Sequence, residues 1–166
     1  MTDRDATEVF SEWALRDRDL GMESGHAASV GEMLSMALSR IDGPFSAIDV
    51  GCGNGWVCRA LDENEDCSSA VGVDGSEEMI RKAMSRGGGE FHHIRLPGWS
   101  PPRKYGLVHS MEFLYYLRDP VSMLSEIHDH WVEPGGVLVA GVDHYLENED
   151  SLDWPMGLSV HMTTLS

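Results

Sequence analysis

Apolar and polar positions follow two rhythms along this chain. Runs of five or six residues rich in Val and Ile, bounded by Gly, Pro or Asp, predict strands over Ser46–Val50, Ala70–Asp74, Glu90–Ile94, Tyr105–Ser110 and Val137–Val142. Between them apolar residues recur at helical spacing: Met79, Ile80, Ala83 and Met84 within Ser76–Ser85, and Val121, Leu124, Ile127, His128 and Trp131 within Pro120–Trp131. Asp119 before Pro120 makes a cap and first-turn pair, and Pro134-Gly135-Gly136 stops that helix. Glu77 and Glu78 behind Ser76 complement the positive end of the other helix. Strands alternating with helices predict an α/β fold: a doubly wound, mainly parallel sheet of about five strands with helices on both faces.

Residues ahead of the sheet read differently. Thr7–Leu15 and His26–Arg40 each carry an apolar helical face, separated by the polar, glycine-containing stretch Arg16–Gly25. They predict a helical cap over residues 1–42, followed by a core over 43–143 and a C-terminal segment over 144–166, all in one domain. The cap either closes over a ligand or covers a sheet edge. A helix is expected from about Ser159 onward.

Composition narrows the function. The 166 residues hold 28 acidic and 12 basic side chains, a formal net charge of -16, with Lys82 and Lys104 as the only lysines. Such a field repels a phosphate polymer, and no Lys/Arg cluster overrides it, so nucleic acid is not the expected partner. The carboxylate excess suits a surface kept hydrated in high salt. No run reaches the roughly 18 apolar residues of a membrane span, and the start MTDRDATEVF lacks the features of a signal peptide, so a cytoplasmic chain is expected.

Metal chemistry finds little support. Cys52, Cys58 and Cys67 show no C-x-x-C spacing. His92 and His93 are adjacent in a strand and point to opposite faces, while His128 and His130 diverge on a helix.

The richest local signal is "DVGCGNGW", residues 49–56. Gly51, Gly53 and Gly55 follow a buried strand and precede a helix near Trp56. Glycine allows positive φ and lets a ligand approach the backbone without a Cβ in the way. A dinucleotide site wants G-x-G-x-x-G, but Trp56 stands where the third glycine belongs. Asp49 also repels a pyrophosphate and attracts an ammonium. Asp74, ending the second strand, can accept two hydrogen bonds from a ribose diol, or cap the helix from Ser76.

"AIDVGCGNG", then "VGVDGSEEMI", "YGLVHSMEFLYYL" and "WVEPGGVLVAGVD", in that order, resemble the class I S-adenosylmethionine-dependent methyltransferases, over about Ala47–Asp143. The resemblance implies a Rossmann-like fold and S-adenosylmethionine as cofactor. Asp49 and the loop from Gly51 through Cys52 and Gly53 to Gly55 would hold its methionine portion, and Asp74 its ribose. Gly75 and Ser76 would border the adenosine, with His93 and Ile94 beside the adenine. His109, Ser110 and Met111 would lie near the sulfonium and the entrance for substrate.

The chain departs from the family pattern in two places. "FHHIRLPGWS" offers no acid after the third strand to reach the adenine amino group. Few residues follow the fifth strand, where an antiparallel strand pair is usual, so the chain is expected to lack that hairpin, leaving an edge that a homodimer can cover.

Methyl transfer needs an aligned nucleophile, with a general base optional. Glu112, directly after the fourth strand, and His144, after the fifth, are the candidate catalytic residues. Tyr115 and Tyr116 could form an aromatic wall. The expected function is methyl transfer to a small-molecule acceptor. A catalytically silent cofactor-binding or partner subunit is the alternative, and a nicotinamide oxidoreductase a third that Asp49 and Trp56 argue against.

Overall fold

A computed structural model describes residues 3–166. Its five strands are β1 (Phe45–Val50), β2 (Cys67–Asp74), β3 (Glu90–His93), β4 (Tyr105–Met111) and β5 (Val132–Gly141). They form one sheet in the order β3-β2-β1-β4-β5, every pair parallel. The order reverses between β1 and β4, so the crevice at their C-terminal ends is the switch point where open α/β sheets bind ligands.

Parallel strands need helical crossovers, which cover both faces. In β1, Phe45 and Ala47 join one apolar cluster with residues of α2 (Leu20–Leu38), α3 (Trp56–Asp62) and α4 (Glu77–Arg86). Ile48 and Val50 join the opposite cluster with Met123 of α5 (Pro120–Glu126) and with Ile127 and Trp131. This period-two division is what a strand buried on both sides requires. The first helix, α1 (Ala6–Leu15), packs on α4, and a short α6 (Trp154–Leu158) lies in the tail. Among the described residues no helix is long and apolar enough to cross a membrane.

Local chemistry sets the helix starts. Asp5, Ser76 and Asp119 each accept a hydrogen bond from a first-turn amide, from Thr7, Met79 and Ser122 respectively. Ser76, rather than Asp74, therefore caps α4. The helix from Pro120 ends as a wider π turn over Ile127–Trp131, and β5 begins at Val132, ahead of the expected Val137. Pro134-Gly135-Gly136 lies inside β5 rather than before it. Gly135 has φ +80°, and the β4–β5 register shifts there.

Two expectations are overturned. The stretch Arg16–Gly25 is largely helical, because α2 starts at Leu20, not His26. The residue before it, Asp19, is fully buried and held by Lys82 and Asn54, which fixes the start of α2 ahead of Gly21 and Gly25. No helix begins at Ser159: α6 ends there, Ser159 taking the left-handed conformation with φ +54°. Beyond it the chain forms no further helix, with bridges from Arg4 to Val160 and from Tyr145 to Leu165.

Candidate functional site

At the C-terminal ends of the central strands lies a cavity of about 980 Å³. A recess of about 40 Å³ adjoins it, and Gly51, Gly53, Met22, His26, Met111 and Glu112 stand in the walls of both. The larger volume lies in the range of pockets that enclose a small organic ligand.

The glycine loop is shaped by its conformation. Gly51, Gly53 and Gly55 all have positive φ, at +75°, +53° and +79°. Gly51 and Cys52 donate their amides to the Val73 carbonyl at 2.9 and 3.0 Å, tying the loop to the end of β2. Gly53 faces open space where a side chain would sit, whereas a Cβ at Gly55 would meet Phe91 at 2.6 Å and the Ala83 Cβ at 2.9 Å. Gly53 therefore serves the cavity, and Gly55 serves packing beneath it.

Asp74 braces the loop from the next strand. Its Oδ2 accepts the Gly53 amide at 2.9 Å and its Oδ1 the Ser76 amide at 2.7 Å. A carboxylate has about four acceptor positions, so each oxygen keeps capacity for a further donor. Burial pushes the Asp74 carboxyl above its usual range, partly offset by the two amides.

Asp49 and His109 are register partners on adjacent strands, so their side chains share a face. His109 Nδ1 meets Asp49 Oδ1 at 2.7 Å with both residues buried. The ionised carboxylate only accepts, so Nδ1 carries the proton and Nε2 is left over. Asn54 donates its Nδ2 to Asp19 Oδ2 at 2.8 Å, and Lys82 Nζ donates to Asp19 Oδ1 at 2.6 Å. Burial of Asp19 opposes its ionisation, yet Lys82 and Asn54 together hold its carboxyl below the usual range.

Four buried side-chain polar atoms lack a hydrogen-bond partner among the described residues: Asn54 Oδ1, His109 Nε2, Glu112 Oε1 and Trp131 Nε1. The first three belong to residues of one recess wall. Buried polar groups are nearly always paired, so three such atoms in one recess leave acceptor positions open for a ligand's donors.

Glu112 has φ +57°, a conformation that costs a non-glycine residue about 1–2 kcal/mol. Its Oε2 accepts from the Tyr115 hydroxyl at 2.6 Å. Burial pushes the Glu112 carboxyl up to about 7, with the Asp143 charge adding to the shift and the Tyr115 hydroxyl and the Asp143 backbone amide opposing it. Because the folded-state value lies above the unfolded one, the native state binds more protons between about pH 4.5 and 7. Stability is therefore lost as pH rises through that window. Relative to Glu112→Gln, the wild-type protein should lose up to about 3 kcal/mol between pH 4 and 8 in urea unfolding. A gap between the two proteins that stays constant with pH would contradict this.

The roof of the cavity comes from α1. Phe10 packs edge-on against Trp13 and Tyr116, at 5.3 and 5.4 Å between ring centroids, and Tyr116 tilts against Tyr115 at 4.5 Å. Arg95, just past β3, donates to Asp5 Oδ2 at 2.7 Å and to the Thr7 hydroxyl at 2.5 Å, clasping the first turn of α1. These bonds are exposed, and such a clasp contributes about 1 kcal/mol. In Arg95→Ala the amides of Thr7–Leu15 should exchange hydrogen about fivefold faster, and unchanged exchange would show that α1 is held by packing alone.

Of the residues expected at the site, Asp49, Gly51, Cys52, Gly53, His109, Met111 and Glu112 line the recess, and Asp74, Gly75 and Ile94 line the larger cavity. Gly55, Ser76, His93 and Ser110 line neither. His93 meets the Gly75 carbonyl at 3.0 Å, and the Ser110 hydroxyl donates to the Val50 carbonyl at 2.9 Å.

The structure does not bring His144 to the cavity. It is fully buried, with Nδ1 at 3.1 Å from the Ser151 carbonyl and Nε2 at 3.2 Å from the Thr164 hydroxyl. Both nitrogens are used in tying the tail to the end of the sheet. Asn54, Phe10 and Trp13 are wall residues that sequence reasoning did not single out. For Asn54 the signal lay inside the glycine loop, whereas the two aromatics reach the wall only through the docking of α1.

This arrangement defines an open, doubly wound α/β domain of the Rossmann-like class, with its ligand cavity at the switch point. The chain belongs to the class I S-adenosylmethionine-dependent methyltransferase family: a family model described as a methyltransferase domain matches residues 22–165. In solved structures it is similar to a protein from the complex between the Haloferax volcanii Trm112 methyltransferase activator and a candidate methyltransferase. That match has a TM-score of 0.83 and 31% identity, covering 98% of this chain and 71% of the other. Among curated proteins it is 28% identical over 120 residues to a trans-aconitate 2-methyltransferase of Agrobacterium fabrum, covering 72% of this chain and 44% of the relative. It is also 38% identical over 104 residues to a tRNA U34 carboxymethyltransferase of Vibrio parahaemolyticus, covering 57% and 31%. The chain thus spans less than half the length of these two curated relatives.

Proposed function

We propose that the protein is a methyltransferase that binds S-adenosylmethionine across the recess and the larger cavity and methylates a small molecule. The observation that carries this reading is the pair of unpartnered buried atoms of Asn54 and His109 beside the glycine loop. Asn54 Oδ1 and, with the proton on Nδ1, His109 Nε2 are acceptors, so they suit a ligand end that donates hydrogen bonds, as the ammonium of a methionine moiety does.

In this reading Asp49 orients His109 and adds negative charge near an ammonium, Gly53 admits the ligand against the backbone while Gly51 leaves room for the Phe113 ring, and Asp74 accepts from the ribose hydroxyls. Gly75 and Ile94 flank the adenosine, with Arg95 and Thr7 closing the roof over it. When bound, the cofactor supplies an electrophilic methyl group on a sulfonium. The chain's own task is to align an acceptor in the remaining space between Glu112, Tyr115 and Tyr116 and to keep water out. Glu112 takes the role of orienting the acceptor or receiving its proton, and His144 takes none.

The similarity to a protein solved with the Trm112 activator supports a partner subunit in this chain's working state. Calorimetry tests the reading: S-adenosylmethionine and S-adenosylhomocysteine should bind with one site each and NAD should not. Silence with both sulfur ligands, alone and with an activator subunit of that type added, would overturn it, and tight NAD binding would favour an oxidoreductase.

A further inference from the structure

Resting on the methyltransferase reading, we infer that the methyl acceptor is an amine on an apolar or aromatic frame, received by Glu112 beneath the aromatic roof of Phe10, Trp13, Tyr115 and Tyr116. Four observations converge on that chemistry. Glu112 sits where the recess meets the larger cavity, and one of its carboxylate oxygens is buried without a partner. Its backbone is held in a strained conformation, a feature that collects at functional sites. The adjoining wall is aromatic, and ring faces attract a cation as well as an apolar frame. The whole chain carries a net charge of -16, a field that draws cations and repels anions.

Anionic acceptors find the opposite conditions. Of the three arginines in the cavity wall, Arg4 is paired with Glu12 and Arg95 with Asp5. That leaves Arg118, while Glu112 and Asp153 add negative charge to the same wall. A carboxylate acceptor would meet repulsion from Glu112 and, among the described residues of the wall, one arginine without an ion-pair partner.

The chemistry also explains what Glu112 does. An amine arrives protonated and cannot act as a nucleophile in that form. Its ammonium pairs with the Glu112 carboxylate on the ring faces, then one proton passes from nitrogen to Oε1. This gives a neutral amine with its lone pair free and a neutral carboxylic acid. Burial lowers the ammonium's affinity for the proton and raises that of Glu112, whose carboxyl is pushed up to about 7, so both shifts favour the transfer.

Three probes of one shape test this: 2-phenylethylamine, 2-phenylethanol and phenylacetate, titrated by calorimetry into protein saturated with S-adenosylhomocysteine. The amine should bind at least tenfold more tightly than phenylacetate, and Glu112→Gln should reduce that preference at least fivefold. The wild-type preference is read without any variant, and the ratio between probes in the variant is insensitive to a fraction of misfolded protein. Equal or tighter binding of phenylacetate, binding of none of the probes, or a preference unchanged in Glu112→Gln would overturn the inference while leaving the methyltransferase reading intact. Failure of S-adenosylhomocysteine itself to bind would overturn both.

Discussion

Asp74→Ala is expected to weaken S-adenosylhomocysteine binding at least hundredfold in calorimetry. Two charge-assisted hydrogen bonds to a ribose diol contribute about 1.5–3 kcal/mol each, so their joint loss corresponds to two orders of magnitude or more in affinity. The same carboxylate also accepts the Gly53 and Ser76 amides, at 2.9 and 2.7 Å. Truncation therefore loosens the glycine loop and the start of α4 in addition to removing the proposed ribose contact. Asp74→Asn keeps one acceptor oxygen and should lose less, about tenfold, because the remaining bonds are no longer charge-assisted. If Asp74→Ala bound the ligand as the wild type does, the ribose would have to lie elsewhere.

The second large effect falls on the fold. Gly55→Ala should destabilise the protein by about 2–5 kcal/mol in urea unfolding, combining the cost of a left-handed alanine with overpacking. The backbone there has φ +79°, and the new methyl group would stand 2.6 Å from the Phe91 ring and 2.9 Å from the Ala83 Cβ. Neither neighbour can retreat easily, since Phe91 and Ala83 are both in the buried cluster beneath α3 and α4. Gly53→Ala supplies the contrast. Its φ is also positive, but no atom lies within 4 Å of the added Cβ, so it should cost only about 1 kcal/mol in stability while impairing ligand binding. Equal stability losses in the two variants would contradict the division of labour between packing and binding glycines.

How much of this was legible in the sequence depends on whether the cause was local. The strand before the glycine loop, the caps at Ser76 and Asp119, and the positive-φ turn at Gly51 and Gly53 follow from nearest neighbours, and they stand where the pattern put them. The parallel sheet followed from alternation of strands and helices. The start of α2 did not, because Gly21 and Gly25 read as a linker until the burial of Asp19 against Lys82 and Asn54 is known.

The Asp49–His109 pair shows the same limit within the site. Both residues were expected near the ligand, but their bond depends on the β1–β4 register, which joins positions sixty apart. His144 fails for a related reason. Its position after β5 points to the ligand edge, yet contacts with Ser151 and Thr164 turn it into a structural tie. The tail misread at Ser159 is a single left-handed residue ending a helix where apolar spacing suggested one beginning.

In the proposed reading the recess and the cavity hold one ligand, with its amino-acid end beside the glycine loop and its ribose on Asp74. A crystal structure of the protein with S-adenosylhomocysteine tests it most directly. Both ribose hydroxyls should lie within hydrogen-bond distance of the Asp74 carboxylate, and the homocysteine end against Asn54, His109 and Gly51–Gly53. A ligand bound with its ribose away from Asp74, or with those buried atoms still unpartnered, would contradict it.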